Sequence, residues 1–413
     1  MIIRRSYIEQ LQQWKDNKKI IKVITGVRRC GKSTLLKEYQ KSLIERGVGE
    51  GQIISLNFED LNYERLLNYR ELYNFLQEKL LPDAVNYIFL DEVQRVPQFE
   101  KVVDSLYLKD NVDICIAGSN AFLLSGELAT FLAGRYIEIN MFPLSFKEYM
   151  EVCPQQNPEK AFLRYLRCGG FPYPTIELND NQNALDTYFD GIYNTIVLKD
   201  IEERSRRRQL GSDLHRISNI PLLNSISSFL AGSVGSPISF RNIANCIISS
   251  GHTASADTVS EYVRALEEPY LFYQARAMNV SGKQLLRNVC KYYIVDPGLG
   301  NYILPKRTHD LGFLLENVVY LELRRRGYAV HIGKLKDLEV DFIARKSGAY
   351  EYFQITSDCR AEETFEREIS PLRKIKDNYK KTILTLDNFT PGNYGGILVE
   401  NAIDWLLSAD PAS

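Results

Sequence analysis

Long apolar runs are missing from this chain: none of its 413 residues lies in a stretch approaching eighteen uninterrupted apolar positions, and Arg4-Arg5 is followed by no apolar segment. Neither a membrane-spanning helix nor a secretory leader is expected, so the expectation is a soluble, cytoplasmic protein with no membrane partner. Charge of one sign is lacking too. Lys and Arg number 51 against 52 Asp and Glu, a net charge of −1, so no overall field draws in nucleic acid or anionic lipid and any basic surface must be local. There is no Cys-x-x-Cys pair. The seven cysteines (Cys30, Cys115, Cys153, Cys168, Cys246, Cys290 and Cys359) are odd in number, which argues for free thiols in a reducing compartment and against zinc.

What is present is ordinary for a folded protein: 45% hydrophobic and 25% charged residues. A chain of this length exceeds the roughly 250–300 residues at which one core stops growing, and two to four domains are expected.

One stretch organises the rest. Gly26-Val27-Arg28-Arg29-Cys30-Gly31-Lys32-Ser33-Thr34 has the spacing G-x-x-x-x-G-K-[ST]. Residues 20–24 before it read as a buried strand, and residues 33–46 after it as a helix. Gly26 and Gly31 can take the positive-φ turns that let backbone N–H groups wrap a phosphate. Lys32 would reach the β/γ-phosphates, Ser33 would hold Mg²⁺, and the helix N-terminus adds its partial positive charge. The pattern specifies a nucleoside-triphosphate site with ATP or ADP as ligand.

The elements around it fit an α/β, P-loop NTPase parallel sheet. A short amphipathic helix over residues 6–17, with Ile8, Leu11 and Trp14 on one face and Ser6 as its cap, precedes the first strand and is read as packing only. Residues 52–58 form a second strand, residues 70–80 a helix, and residues 87–92 a third strand ending in Asp91 and Glu92. Strand C-termini are where such sheets gather ligand chemistry. Asp91 would bind Mg²⁺ through water, and Glu92 would polarise the water that attacks the γ-phosphate. The strand 52–58 lies between the P-loop strand and the acidic one; with the Asp-Glu pair it points to P-loop ATPases with a catalytic glutamate, the AAA+ branch among them. Residues 112–118 form a fourth strand. Asn120 just beyond it either senses the γ-phosphate or caps a helix. Arg135, before a fifth strand at residues 136–139, is either an arginine finger, which in trans requires a homo-oligomer, or a surface arginine.

Ile3-Arg-Arg5, the P-loop, Asn57-Phe-Glu59, Phe89-Leu-Asp-Glu-Val-Gln94, Ala117-Gly-Ser119, Ala133-Gly-Arg135 and Pro143-Leu-Ser-Phe-Lys-Glu148 together resemble the AAA-type ATPases of bacteria and archaea that carry a C-terminal domain of uncharacterised function. The resemblance runs nearly the length of the chain and implies an ATPase domain over residues 1–150.

Residues 151–210 read as a helical linker. Helices at 146–153 and 158–168 lead into Gly169-Gly-Phe-Pro172, a turn stiffened by proline that similar proteins also carry. A helical stretch at 183–208 ends with arginines at 204, 206, 207 and 208, which either bind phosphates or form a solvated helix end. Residues 211–300 look like a winged helix: helices at 222–230, 239–249 and 256–266, then candidate wing strands at 270–275 and 291–296. The third helix could enter a major groove, but it is acidic apart from Arg264, so a structural role is preferred.

Residues 301–413 place Glu316 on a helix over 311–326, followed by strands at 328–332, 338–343 and 351–355 carrying Asp341 and Gln354. This resembles a restriction-endonuclease-like α/β core. In active nucleases of that class an acid or Gln, one further residue and then a lysine occupy the second strand, the acids holding Mg²⁺ and the lysine stabilising charge on the attacked phosphate. Here the third position is Thr356. A vestigial site at Glu316, Asp341 and Gln354, without nuclease activity, is expected.

Overall fold

The computed structural model describes residues 2–408 except 122–131, 133, 154–156, 179–180, 197–200, 202–216, 218, 252, 305–309 and 388–390. The described chain packs as two compact units, Met1–Phe142 with Glu268–Tyr270, and Pro143–Glu267 with Leu271–Ser413.

The first unit is a parallel sheet of β1 (Ile21–Thr25), β2 (Ile53–Asn57), β3 (Asn86–Asp91), β4 (Val112–Gly118) and β5 (Tyr136–Asn140), ordered β2-β3-β4-β1-β5. Every residue of β1, β3 and β4 is buried, as expected of strands covered on both faces. The reading that put residues 52–58 between the P-loop and acidic strands holds along the chain but not across the sheet. β4 is the strand inserted between β1 and β3, pairing Ile24 with Ala117 and Asp91 with Ala117, while β2 lies at the edge. Chain order cannot reveal this, because parallel strands join through crossovers that skip positions.

Helix α1 (Arg5–Gln13) starts one residue earlier than expected, capped by Arg4, with Ser6 inside it and no side-chain cap bond. Helix α2 (Lys32–Glu45) follows the P-loop, and helices α3 (Tyr69–Lys79) and α4 (Phe99–Tyr107) cover the sheet. Their apolar faces meet in one core that includes Leu72, Leu76, Val102, Val103 and Leu106 with Ile88, Leu90 and Ile116 of the strands. At the start of β1, Lys22 is fully buried, its Nζ 2.5 Å from Asp113 Oδ1 of β4. A buried lysine survives only with such a partner.

In the second unit β6 (Phe272–Asn279), β7 (Leu285–Ile294), β8 (Ala329–Leu335), β9 (Leu338–Lys346), β10 (Ala349–Thr356), β11 (Lys380–Thr385), β12 (Gly392–Asn393) and β13 (Leu398–Asn401) make one sheet of order β12-β13-β11-β10-β9-β8-β6-β7. β9 is antiparallel to β8 and β10, whereas β10 and β11 run parallel across the helix Glu362–Arg373. The helices Ile220–Gly232, Phe240–Ser249 and Ala256–Glu267 fall where expected. The candidate wing strands do form a hairpin, β6 with β7, but β6 also pairs in parallel with β8. The boundary expected at residue 300 therefore cuts a sheet, and the segments separated at 210 and 300 pack as one unit. The arginines at 204–208 lie outside the described residues.

Gly169 and Gly170 prove to have a physical task. Gly169 takes φ +77, and a Cβ there would stand 2.0 Å from Asp296 Oδ1. The Gly170 N–H donates to Asp296 Oδ2 at 2.6 Å and the Leu299 N–H to Oδ1 at 3.0 Å. Burial pushes the Asp296 carboxyl up to about 6, against the pull of these N–H groups.

Candidate functional site

The loop after β1 is shaped by two glycines. Gly26 takes φ +144, and a Cβ on it would lie 2.1 Å from the Met141 carbonyl oxygen; no larger residue fits. Gly31 takes φ +107 and caps α2. Between them Arg29 also has positive φ, +66, so the loop curls tightly and brings successive N–H groups to its concave side. Val27 and Cys30 are buried, whereas Arg29 and Thr34 are exposed. Arg28 Nη1 lies 3.4 Å from Glu59 Oε1 beyond β2. Lys32 is buried and its ammonium donates to the Gly26 and Val27 carbonyls at 2.9 and 3.0 Å. The lysine thus folds back over its own loop.

β3 delivers Asp91 and Glu92 to the same end of the sheet as the loop, because all five strands run parallel. Asp91 is buried, and burial pushes its carboxyl up to about 6, with the Ser33 hydroxyl pulling the other way and the Glu92 charge adding to the rise. Asn57 Nδ2 donates to Asp91 Oδ2 at 3.2 Å, while Oδ1 is buried with no hydrogen-bond partner among the described residues. A bare carboxylate oxygen with the hydroxyl of Ser33 beside it is a hard oxygen donor set that fits Mg²⁺, which takes one or two protein oxygens and keeps water and phosphate for the rest.

Glu92 adopts left-handed backbone, φ 52 and ψ 39, uncommon for a residue with a Cβ. Its Oε2 accepts from Gln94 Nε2 at 2.5 Å and from Ser119 Oγ at 3.2 Å. The polar side chain at the end of β4 that reaches the acid is therefore that of Ser119. Asn120, expected to sense the γ-phosphate or cap a helix, is buried one position further on. Arg135 is not brought to this site. Its carbonyl accepts from the Ile21 N–H at the start of β1, about 13 Å along the strand from the phosphate-loop end. Its guanidinium donates to Asp104 Oδ1 at 2.9 Å and lies 4.9 Å from the centroid of the Tyr107 ring on α4.

The second unit does bring Glu316, Asp341 and Gln354 together, around a residue that went unnoticed in the sequence. Lys291 of β7 is 2% exposed. Its Nζ stands 3.0 Å from Glu316 Oε1, 2.7 Å from Glu339 Oε1 and 3.9 Å from Asp341 Oδ1. The Tyr293 hydroxyl donates to the same Glu316 oxygen at 2.7 Å. Asp341 Oδ2 accepts the Ile355 N–H at 2.8 Å, and Gln354 Nε2 donates to Glu368 Oε2 at 2.9 Å. Burial works against the Lys291 charge, but Glu316, Asp341 and Glu339 outweigh it and raise its pKa. Burial raises Asp341 and Glu316, and Lys291 opposes the rise. Burial likewise works against the Glu339 charge, but Lys291 outweighs it and lowers its pKa. A buried cation therefore stands among these acids, although Thr356 itself carries no charge. Among the described residues no group of three or more His, Cys, Asp or Glu has metal-holding geometry.

Strand order, P-loop and acidic strand end define an AAA-type P-loop domain, and a model described as AAA domain matches residues 18–150. A domain of unknown function (DUF8612) matches residues 159–310. An uncharacterised protein of Haemophilus influenzae is 39% identical over 412 residues, 98% of this chain and 99% of its own. One of Methanocaldococcus jannaschii is 32% identical over 389 residues, 89% of this chain and 80% of its own. The chain belongs to the family of these two proteins. Among solved structures, AMPPCP-bound DnaA from Aquifex aeolicus is 17% identical with a TM-score of 0.32, covering 64% of this chain and 87% of that one, a likeness too slight to carry an argument. No described helix is long and apolar enough to cross a membrane.

Proposed function

We propose that the protein is an AAA-type, Mg²⁺-dependent ATPase that couples ATP hydrolysis to a conformational change. The observation that carries this is the convergence of Lys32, Ser33, Asp91 with its unpartnered Oδ1, and Glu92 at one end of a parallel sheet. Lys32 exchanges the Gly26 and Val27 carbonyls for the β/γ-phosphates, and the loop N–H groups from Val27 to Thr34 hold the phosphate chain. Ser33 and Asp91 are the residues that would hold Mg²⁺, which when bound neutralises charge on the β- and γ-phosphates. Glu92 takes a proton from the attacking water once Gln94 and Ser119 release it. Ser119 holds Glu92 in place, and Asn120, buried beside it at the end of β4, senses the γ-phosphate. Arg135 acts on a neighbouring subunit's nucleotide after leaving Asp104.

A second reading, a nucleotide switch with little turnover that recruits a partner protein, is favoured by one feature: Glu92 Oε2 already accepts two hydrogen bonds. The restriction-endonuclease-like core over residues 301–413 is read as vestigial, since Lys291 occupies its acids, and nucleic acid is a candidate effector only. Phosphate release by wild type, Lys32→Ala and Glu92→Gln, each with and without single- and double-stranded DNA, separates these. Turnover lost in both variants establishes the ATPase, and stimulation by DNA would make nucleic acid the effector. Bound nucleotide without turnover in wild type selects the switch, and turnover unchanged in Lys32→Ala refutes the site.

A further inference from the structure

Arg4 lies just before the helix that the sequence marks for packing only, residues 6–17, yet it is 3% exposed and joins two functional segments. Its Nη1 donates to the Cys30 carbonyl inside the P-loop at 3.3 Å, and its Nη2 to the Phe142 carbonyl at 3.0 Å. Phe142 is the residue at which the chain leaves the first unit. The neighbouring contacts reinforce the connection. The Phe142 N–H donates to the Tyr7 hydroxyl at 3.2 Å, and the Arg4 guanidinium lies 4.9 Å from the centroid of the same Tyr7 ring. The Met141 N–H donates to the Thr25 carbonyl at 2.7 Å, and the Met141 carbonyl is the atom against which Gly26 packs. The exit segment is therefore fastened to the start of the phosphate loop directly and to its middle through Arg4.

A guanidinium is suited to this because its rigid planar fork presets the directions of two acceptors, whereas the donors of a lysine ammonium all leave one rotatable nitrogen. Movement of the Cys30 carbonyl must either drag the Phe142 carbonyl or break a buried, charge-assisted hydrogen bond. We infer that Arg4 is a positioning residue that couples the state of the P-loop to the segment at residues 141–142 through which the chain passes into the second unit. The inference rests on the nucleotide-site reading and adds the route by which nucleotide is felt outside the first unit.

The test uses the full chain with MgATPγS. Nucleotide affinity is titrated by competition with a fluorescent ATP analogue, and amide exchange at Met141 and Phe142 is followed with and without nucleotide; Pro143 has no amide, so these two report cleanly. In wild type the Phe142 amide should slow by about fivefold or more on binding, the lower end of ordinary coupling. Arg4→Lys, which keeps the charge but replaces the rigid fork by a single rotatable ammonium, and Arg4→Gln should still bind nucleotide while the exchange difference falls within about twofold, below the coupling range. Wild type that binds nucleotide without any change at residues 141–142 overturns the inference, as does a full response in Arg4→Lys. Absence of nucleotide binding in wild type would instead sink the ATP site itself. Should Arg4→Gln fail to fold, the wild-type response and Arg4→Lys still decide.

Discussion

Replacing Lys291 by Met keeps the length of the stem and removes the charge that Glu316, Glu339 and Asp341 surround. The cavity term is small, so the loss measures the ammonium. Glu316 Oε1 at 3.0 Å and Glu339 Oε1 at 2.7 Å lose this cation, Glu316 keeping the Tyr293 hydroxyl and Glu339 keeping Lys334 at 2.6 Å on its other oxygen, and breaking a buried pair by removing one partner costs about 3–5 kcal/mol. Glu316 and Asp341 relieve part of this by taking up protons, their pKa values being already raised by burial, which puts the expected loss near the bottom of that range, about 3 kcal/mol. The pH dependence follows from the signs. Lys291 has a raised folded-state pKa, so its stabilisation is complete below the ordinary lysine value of about 10.4 and fades only as pH rises through the folded value. Glu339 has a lowered one, so its share is present above about pH 4.3 and is lost as pH falls through its folded value. The gap between wild type and Lys291→Met should be full above the raised folded-state values of Glu316 and Asp341 and up to about pH 10, and should narrow as pH falls and first those two acids and then Glu339 take up protons. Because the chain packs as two units, a single melting curve is a poor gauge; exchange of the β7 amides in urea reads the second unit directly. Lys291→Met/Glu316→Gln/Glu339→Gln should recover much of the loss. A loss below about 1 kcal/mol, the level of an exposed pair, or one indifferent to acid, would refute the idea that Lys291 holds this centre together.

Asp91 makes the opposite case. Its folded pKa near 6 exceeds the ordinary value, so its ionisation weakens the nucleotide-free protein as pH rises from about 4 to 6. Asp91→Asn should be more stable than wild type at pH 8 by about 3 kcal/mol, two pKa units at 1.36 kcal/mol each, with the difference gone below about pH 4 and Mg²⁺-dependent phosphate release lost. Denaturation across that pH range, without nucleotide, checks it. Gly26→Ala sets a Cβ 2.1 Å from a backbone carbonyl oxygen and should destabilise the first unit by about 3 kcal/mol or more while nucleotide titration shows binding lost. Gly47→Ala, at φ +90 with nothing within 4 Å, should cost only about 1 kcal/mol and leave binding intact.

What could be read from the chain was whatever is local. The P-loop is nine consecutive residues between a strand and a helix, and Asp91-Glu92 ends an apolar run, so spacing alone found both. Lys291 could not be found that way. It stands 25 residues before Glu316 on a strand that seemed to belong to another domain, and only the parallel pairing of β6 with β8 brings β7 into that sheet. The Ser119 contact to Glu92 was not legible either, since strand patterning does not say what a polar side chain at a strand end touches. Arg4 acts across 138 residues of chain to Phe142, a distance over which no periodicity carries information.

The shared sheet also governs how the chain can be divided for separate study. A fragment beginning near residue 301 would lose β6 and β7 and uncover the edge of β8 at residues 332–334, an adhesive edge of free N–H and C=O groups that invites a second copy to pair there. It would also strip Lys291 from the acids at 316, 339 and 341. A fragment beginning at Pro143 keeps the strand pair, the lysine and the Asp296 receptacle in one piece. Expression trials should therefore cut the gene before the proline and never through the middle of the sheet.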